Sequence, residues 1–165
     1  MIGGKASDAA HAMLGAPPGA ASPEPIVDRH QRIARETAVG RIVLVDSMLF
    51  AGFENRHDVI CAGSHAGRVN MARAIEIRPR GALFSDGGGA RDGSGVDGLP
   101  LLDVAEVPAA AVDAMRARIG ESASTWADGV ISAVNETARR AGVGVGQRAV
   151  TAAQAMLEHR RKTEV

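Results

Sequence analysis

A chain of 165 residues is long enough for one real core, and its 19 basic residues balance its 19 acidic ones, so no global field marks it for nucleic acid or an anionic membrane surface. With three Phe, one Trp and no Tyr it lacks the rings of a base-stacking platform or a sugar-stacking site. Its single cysteine, Cys61, excludes an internal disulfide and a multi-cysteine zinc site, and there is no signal-like leader and no apolar run of membrane-spanning length.

Residues 1–25 are rich in Ala, Gly and Pro. The Pro17-Pro18 and Pro23–Pro25 stretches cannot continue a helix, because proline lacks the amide hydrogen and restricts the residue before it. This segment is expected to be a flexible or arm-like extension, with at most a short helix capped by Asp8. Residues 26–165 then form a single domain.

Residues 26–39 carry Ile26, Val27, His30, Ile33, Ala34 and Thr37 at helical spacing, and Gly40 stops the pattern. Four short apolar runs follow, over 41–46, 58–63, 81–85 and 108–112. Each reads as a strand buried on both faces. Residues 69–77 and 96–104 supply helical crossovers between the later strands, with Val69, Ala72, Arg73 and Glu76 at helical separations in the first of them. The link between the first two runs is short, so that pair is open to either parallel or antiparallel pairing. Residues 125–141 read as one long helix with Trp126, Val130, Val134 and Ala138 in a stripe. The repeated glycines of 142–146 break it, and residues 147–161 form a last helix with a basic end. Strands alternating with helices predict an α/β fold: a three-layer αβα sandwich, Rossmann-like, on a mostly parallel sheet of four or five strands.

Open sheets of that kind bind ligands at the carboxyl ends of their strands, where the strand order reverses. The polar residues of this chain gather at those ends. The first strand exits at Asp46-Ser47, the second at Gly63-Ser64-His65-Ala66-Gly67, and the third at Ser85-Asp86-Gly87-Gly88-Gly89. The loop that begins there, residues 85–98, holds six glycines in fourteen positions. Such a loop lets backbone amides approach an anion closely, and Arg91 adds a cation. It lacks the Gly-Lys-Ser/Thr ending of a phosphate loop and the spacing of a dinucleotide fingerprint.

Ser64 sits between Ala62 and Ala66 in a relaxed version of a nucleophile elbow. His65 is the alternative proton-transfer group and Asp86 the accompanying acid. Arg118, with Arg116, follows the fourth strand and suits a carboxylate or phosphate. Ser132 and Asn135 lie on the long helix, three apart on one face. Cys61, between Ile60 and Ala62, reads as an inert core thiol.

The expected catalytic set is thus Ser64, His65 and Asp86, with Ser47, Gly63, Gly87, Gly88, Gly89, Arg91 and Arg118 binding substrate. The histidines have no metal spacing, so no cofactor is expected, although Asp86 and Asp92 offer a place for Mg²⁺. These residues point to a small-molecule enzyme acting on an anionic metabolite. A hydrolase ranks before a lyase or isomerase, because it needs no cofactor. A non-catalytic metabolite- or nucleotide-binding scaffold subunit using the same loop is the alternative. The expected setting is cytoplasmic, with a small anionic ligand, no nucleic acid, no membrane, and a homo-oligomer built on the Ala-rich surfaces.

Overall fold

A computed structural model describes residues 30–161. They fold as a mixed α/β unit. Its strands are β1 (Arg32–Glu36), β2 (Arg41–Val45), β3 (Val59–His65), β4 (Gly81–Ser85), β5 (Ala109–Val112) and β6 (Ile131–Val134). Its helices are α1 (Arg68–Ile77), α2 (Leu99–Val104), α3 (Ser122–Asp128), α4 (Glu136–Arg140) and α5 (Ala149–Glu158). The six strands lie side by side in chain order. β2 to β5 are parallel, and β1 and β6 are antiparallel strands on the two edges.

The central strands are buried on both faces, as their continuous apolar runs require. Alternation divides them between two cores. Val43, Val45, Ile60, Ala62 and Phe84 join Met71, Ala74 and Ile77 of α1 and Leu99 and Leu102 of α2. Ile42, Leu44, Val59, Cys61 and Leu83 join Ala149, Ala152, Ala153, Met156 and Leu157 of α5. Gly81 lets α5 sit close to the sheet: a Cβ there would stand 2.8 Å from Met156. Burial of Met156 and Leu157 together contributes about 3–6 kcal/mol.

The apolar runs place β2 to β5 where the sequence predicts strands, and β4 has the expected bounds. β2 and β3 pair in parallel despite their short link, which holds two 3₁₀ turns, Met48–Phe50 and Phe53–Asn55. Five expectations are corrected. The described part of residues 26–39 is not helical but carries β1, an edge strand whose Arg32, Ile33, Arg35 and Glu36 are exposed, joined to β2 by a turn closed by Thr37 N–H to Gly40 O at 2.9 Å. Helical spacing there was coincidental, since an edge strand with no buried face has no alternation to show.

The expected helix over 125–141 is three elements: α3, β6 and α4. Gly129 ends the first, the β-branched Val130 and Ile131 open the second, and Asn135 caps the third by accepting from Ala138 N–H at 2.8 Å. Ser132 is therefore a strand residue. With β1 and β6 the sheet has six strands rather than four or five. In α1 the buried stripe is Met71, Ala74 and Ile77, while Val69 faces solvent. The last helix ends at Glu158, short of its basic end. The expected arm over residues 1–25 lies outside the described residues.

Strand order also bears on where a ligand can sit. It runs from β1 to β6 without reversal, so this sheet has no switch-point crevice of the kind that open doubly wound sheets use.

Candidate functional site

The carboxyl ends of β3 and β4 meet directly. His65 pairs with Ser85 in the ladder, and Ala66 N–H donates to Ser85 O at 2.9 Å. Cys61 pairs with Leu83, so β3 spends four residues where β4 spends two, and the irregularity lies just before His65. Such a bulge bends the strand and re-aims its side chains, and bulges recur beside functional sites.

Two glycines permit this corner by close approach. At Gly63 a Cβ would stand 2.6 Å from the Gly120 carbonyl carbon and 2.7 Å from Glu121 N. The chain after β5 crosses here, and Gly120 N–H donates to Gly63 O at 2.7 Å. Gly63 is thereby a packing position. At Gly67 a Cβ would stand 2.7 Å from His65 Nδ1. Its bare backbone lets Gly67 N–H donate to Nδ1 at 3.0 Å. Because Nδ1 accepts, the neutral ring carries its proton on Nε2. No side chain or backbone group among the described residues hydrogen-bonds Nε2. The ring is half-buried, and a Cβ on Gly87 would stand 3.3 Å from His65 Cβ, so the glycine loop lies against it.

Ser64 Oγ accepts from Met48 N–H at 3.1 Å, which leaves its hydroxyl proton for another acceptor. Ser47 caps the first 3₁₀ turn, accepting from Leu49 N–H at 3.3 Å. Asp86 is buried and fully engaged. Its Oδ1 accepts from Gly88 N–H at 2.9 Å and Ala114 N–H at 3.0 Å, and its Oδ2 accepts from Ser132 Oγ at 2.9 Å. One carboxylate thus ties the exit of β4 to the exit of β5 and to β6. Among the described residues no hydrogen bond joins Ser64, His65 and Asp86 to one another. The three are neighbours without the nucleophile–base–acid chain of a hydrolytic triad.

The glycine loop starts with three left-handed residues, Gly87, Gly88 and Gly89, at φ 65, 78 and 71. Their amides donate inward. Gly87 N–H goes to Ser85 Oγ, Gly88 N–H to Asp86 Oδ1 and Gly89 N–H to the Asp86 carbonyl. The far end of the loop returns to the site, with Gly98 N–H donating to Ala66 O at 3.1 Å. Asp97 caps the start of α1, accepting from Arg68 N–H at 3.1 Å and lying 3.4 Å from the Arg68 guanidinium.

Arg91 is exposed at the loop tip. Arg118 is also exposed and lies 3.6 Å from Glu121. Asp92 accepts from Ser94 N–H at 3.0 Å, and its contacts with Ser94 hold its carboxyl below the ordinary carboxylate range. Among the described residues, no three His, Cys, Asp or Glu side chains gather as a metal-binding group.

Two parts of the corner were less legible in the sequence. Ser132 supports Asp86 from β6, a position hidden by reading that segment as helix. Asp46, at the exit of β2, accepts from both the N–H and the hydroxyl of Ser122 at 2.8 and 2.7 Å. The Ser122 hydroxyl, then its N–H, hold the Asp46 carboxyl below its usual value. Cys61 is wholly buried, and desolvation pushes its thiol up to about 12, as an inert core thiol requires. No helix among the described residues is long and apolar enough to cross a membrane. Compared with known proteins, the chain matches no family model, no curated protein and no solved structure.

Proposed function

We propose that the corner formed by β3, β4 and the glycine loop is the site of a small-molecule enzyme acting on a carboxylate- or phosphate-bearing metabolite, with a hydrolase ranked before a lyase or isomerase. The observation that carries this reading is the state of His65. Its Nδ1 is held by Gly67 N–H, and its Nε2 has no partner among the described residues, beside a bulge and a glycine loop. An imidazole fixed through one nitrogen is placed to move a proton through the other. Ser64 supplies a hydroxyl that still has a proton to donate, and Arg91 and Arg118 supply the cations for an anionic substrate. Asp86 acts as the brace that holds the three strand ends together rather than as a partner of His65. Ser47, Gly63 and the Gly87–Gly89 segment frame the corner.

The reading extends to a three-layer αβα arrangement of Rossmann-like type, supported by an apolar core on each face of the sheet. It also carries a cytoplasmic setting, Mg²⁺ as an optional helper at Asp86 and Asp92, and self-association through Ala-rich surfaces.

One observation favours the alternative, a non-catalytic metabolite- or nucleotide-binding subunit. Among the described residues no hydrogen bond joins Ser64, His65 and Asp86 into a catalytic chain, and a site that only holds a ligand needs none. A panel of esters, amides, phosphate esters and hydroxy acids, offered to the wild type and to His65→Ala, separates the two. Turnover lowered about 100-fold or more by the substitution, the range expected for losing a positioned proton-transfer group, supports the enzyme. Equal turnover removes His65 from the chemistry. Thermal stabilisation by panel members without turnover moves the reading to the binding subunit.

A further inference from the structure

The amino ends of the parallel strands, opposite His65, enclose a cavity of about 450 Å³. Its wall comes from segments that precede two strands or end three helices. Arg56 precedes β3, Arg78 follows α1, Glu106 precedes β5, Arg140 ends α4, and Arg160 and Arg161 follow α5. Among the described residues, five arginines therefore meet one carboxylate in a chain whose formal charges balance.

Helix ends offer a structural explanation for some of these cations, since the last carbonyls of a helix attract them. Arg161 serves that purpose, donating to Arg78 O at 3.1 Å, and buried Arg80 beneath it donates to Leu157 O at 2.6 Å. Arg56, Arg78, Arg140 and Arg160 do not. Among the described residues none of these four guanidinium groups lies within ion-pair distance of a carboxylate or donates to a backbone carbonyl; that of Arg140 donates only to Thr137 Oγ1, at 3.4 Å. Like charges gathered in a concave wall repel one another, so this surplus calls for an anion.

The backbone carries a second signal. Arg78 and Glu106 are the two non-glycine residues at positive φ among the described residues, at 53 and 55, and both line this cavity. Non-glycine residues in left-handed conformation are strained and cluster at ligand sites. Glycine would fill either position with less strain.

We propose that this cavity binds a small phosphate-bearing molecule. The volume lies within the range of small-molecule sites. Guanidinium forks match phosphate oxygens in pairs. Glu106, the one acid among the described lining residues, would accept from a hydroxyl or amino group on the same ligand. The site stands apart from the β3–β4 corner and does not rest on the function proposed there.

Titration calorimetry of the full chain with inorganic pyrophosphate and with ATP at low salt tests it. Saturable binding of either probe is expected, weakened at least tenfold in the double variant Arg56→Ala, Arg140→Ala, whose circular dichroism should match the wild type. Arg78→Gly should also weaken binding while raising Tm, so that loss of affinity cannot be put down to loss of fold. No binding of either probe at 10-fold the protein concentration and above, up to about 10 mM, overturns the proposal, since a site weaker than the usual range of specific ligands would not count as one. So does undiminished binding by the double variant. Loss of binding in His65→Ala would place the anion at the carboxyl ends of the strands and equally refute it. Displacement of pyrophosphate by a single-stranded oligonucleotide, with steep salt dependence, would replace the small-molecule site by a nucleic-acid surface.

Discussion

Arg78 closes α1 at φ 53 and ψ 59, and its N–H returns to Ala74 O. This is the left-handed helix stop at which glycine is the usual residue. Arg78→Gly should stabilise the fold by about 1 kcal/mol, read as a higher midpoint in urea or on heating. A lower midpoint would mean that the side chain makes a contact worth more than the strain. Asp46 offers a test of the opposite edge. Hydrogen bonds from Ser122 lower its folded pKa below the ordinary 3.8, so the folded state prefers the charged carboxylate. That contribution is complete above the unfolded value and disappears as the pH falls through the folded one. Asp46→Asn should therefore be less stable than the wild type at pH 6, with the gap narrowing in urea titrations as the pH falls below the ordinary carboxylate range. A gap that stays constant with pH would refute the role assigned to the charge.

Among the elements, α4 depends most on one side chain. Asn135 is buried, and its Oδ1 accepts from Ala109 N–H and Ala138 N–H while its Nδ2 donates to Val107 O. It joins the start of β5 to the start of a five-residue helix. Asn135→Ala leaves these buried groups without partners and should cost about 3 kcal/mol, lowering Tm by roughly 6–12 °C in calorimetry. A loss below about 1 kcal/mol would show that water or a shifted backbone replaces the side chain. Asn135 also marks what the sequence concealed. Val130, Val134 and Ala138 recur at intervals of four, so a helical period ran unbroken across a strand and a cap. Gly129 and the pair Val130-Ile131 were the contrary local signals, and they were the ones the fold obeyed. β1 was hidden for a different reason: its pairing with β2 is made by backbone, and its side chains carry no alternation of polarity. The buried strands β2 to β5 were legible because a strand covered on both faces needs an uninterrupted apolar run.

The whole molecule separates its polar chemistry into two ends. The carboxyl end was legible, because Ser64, His65 and Asp86 follow directly from strand exits and the fold brings them to one corner. Their bonding was not legible: Asp86 turns to Ala114 and Ser132, which arrive from parts of the chain 28 and 46 residues away. The cationic amino end gave no motif at all. Its arginines are spread from Arg56 to Arg161, and only the parallel stacking of the strands gathers them.

The unreversed order of the sheet has a bearing on how the protein is made. Each strand from β2 to β6 pairs with the one synthesised just before it, so a chain leaving the ribosome can extend one growing edge step by step without holding a place open for a later strand. The exception is α5, last of the described elements, which covers the face of Ile42, Leu44, Val59 and Leu83. Until it emerges, that face is only partly covered, by α3. The nascent domain therefore stays exposed to aggregation and to chaperones on that face until α5 has emerged, and docking of α5 is the step that closes it.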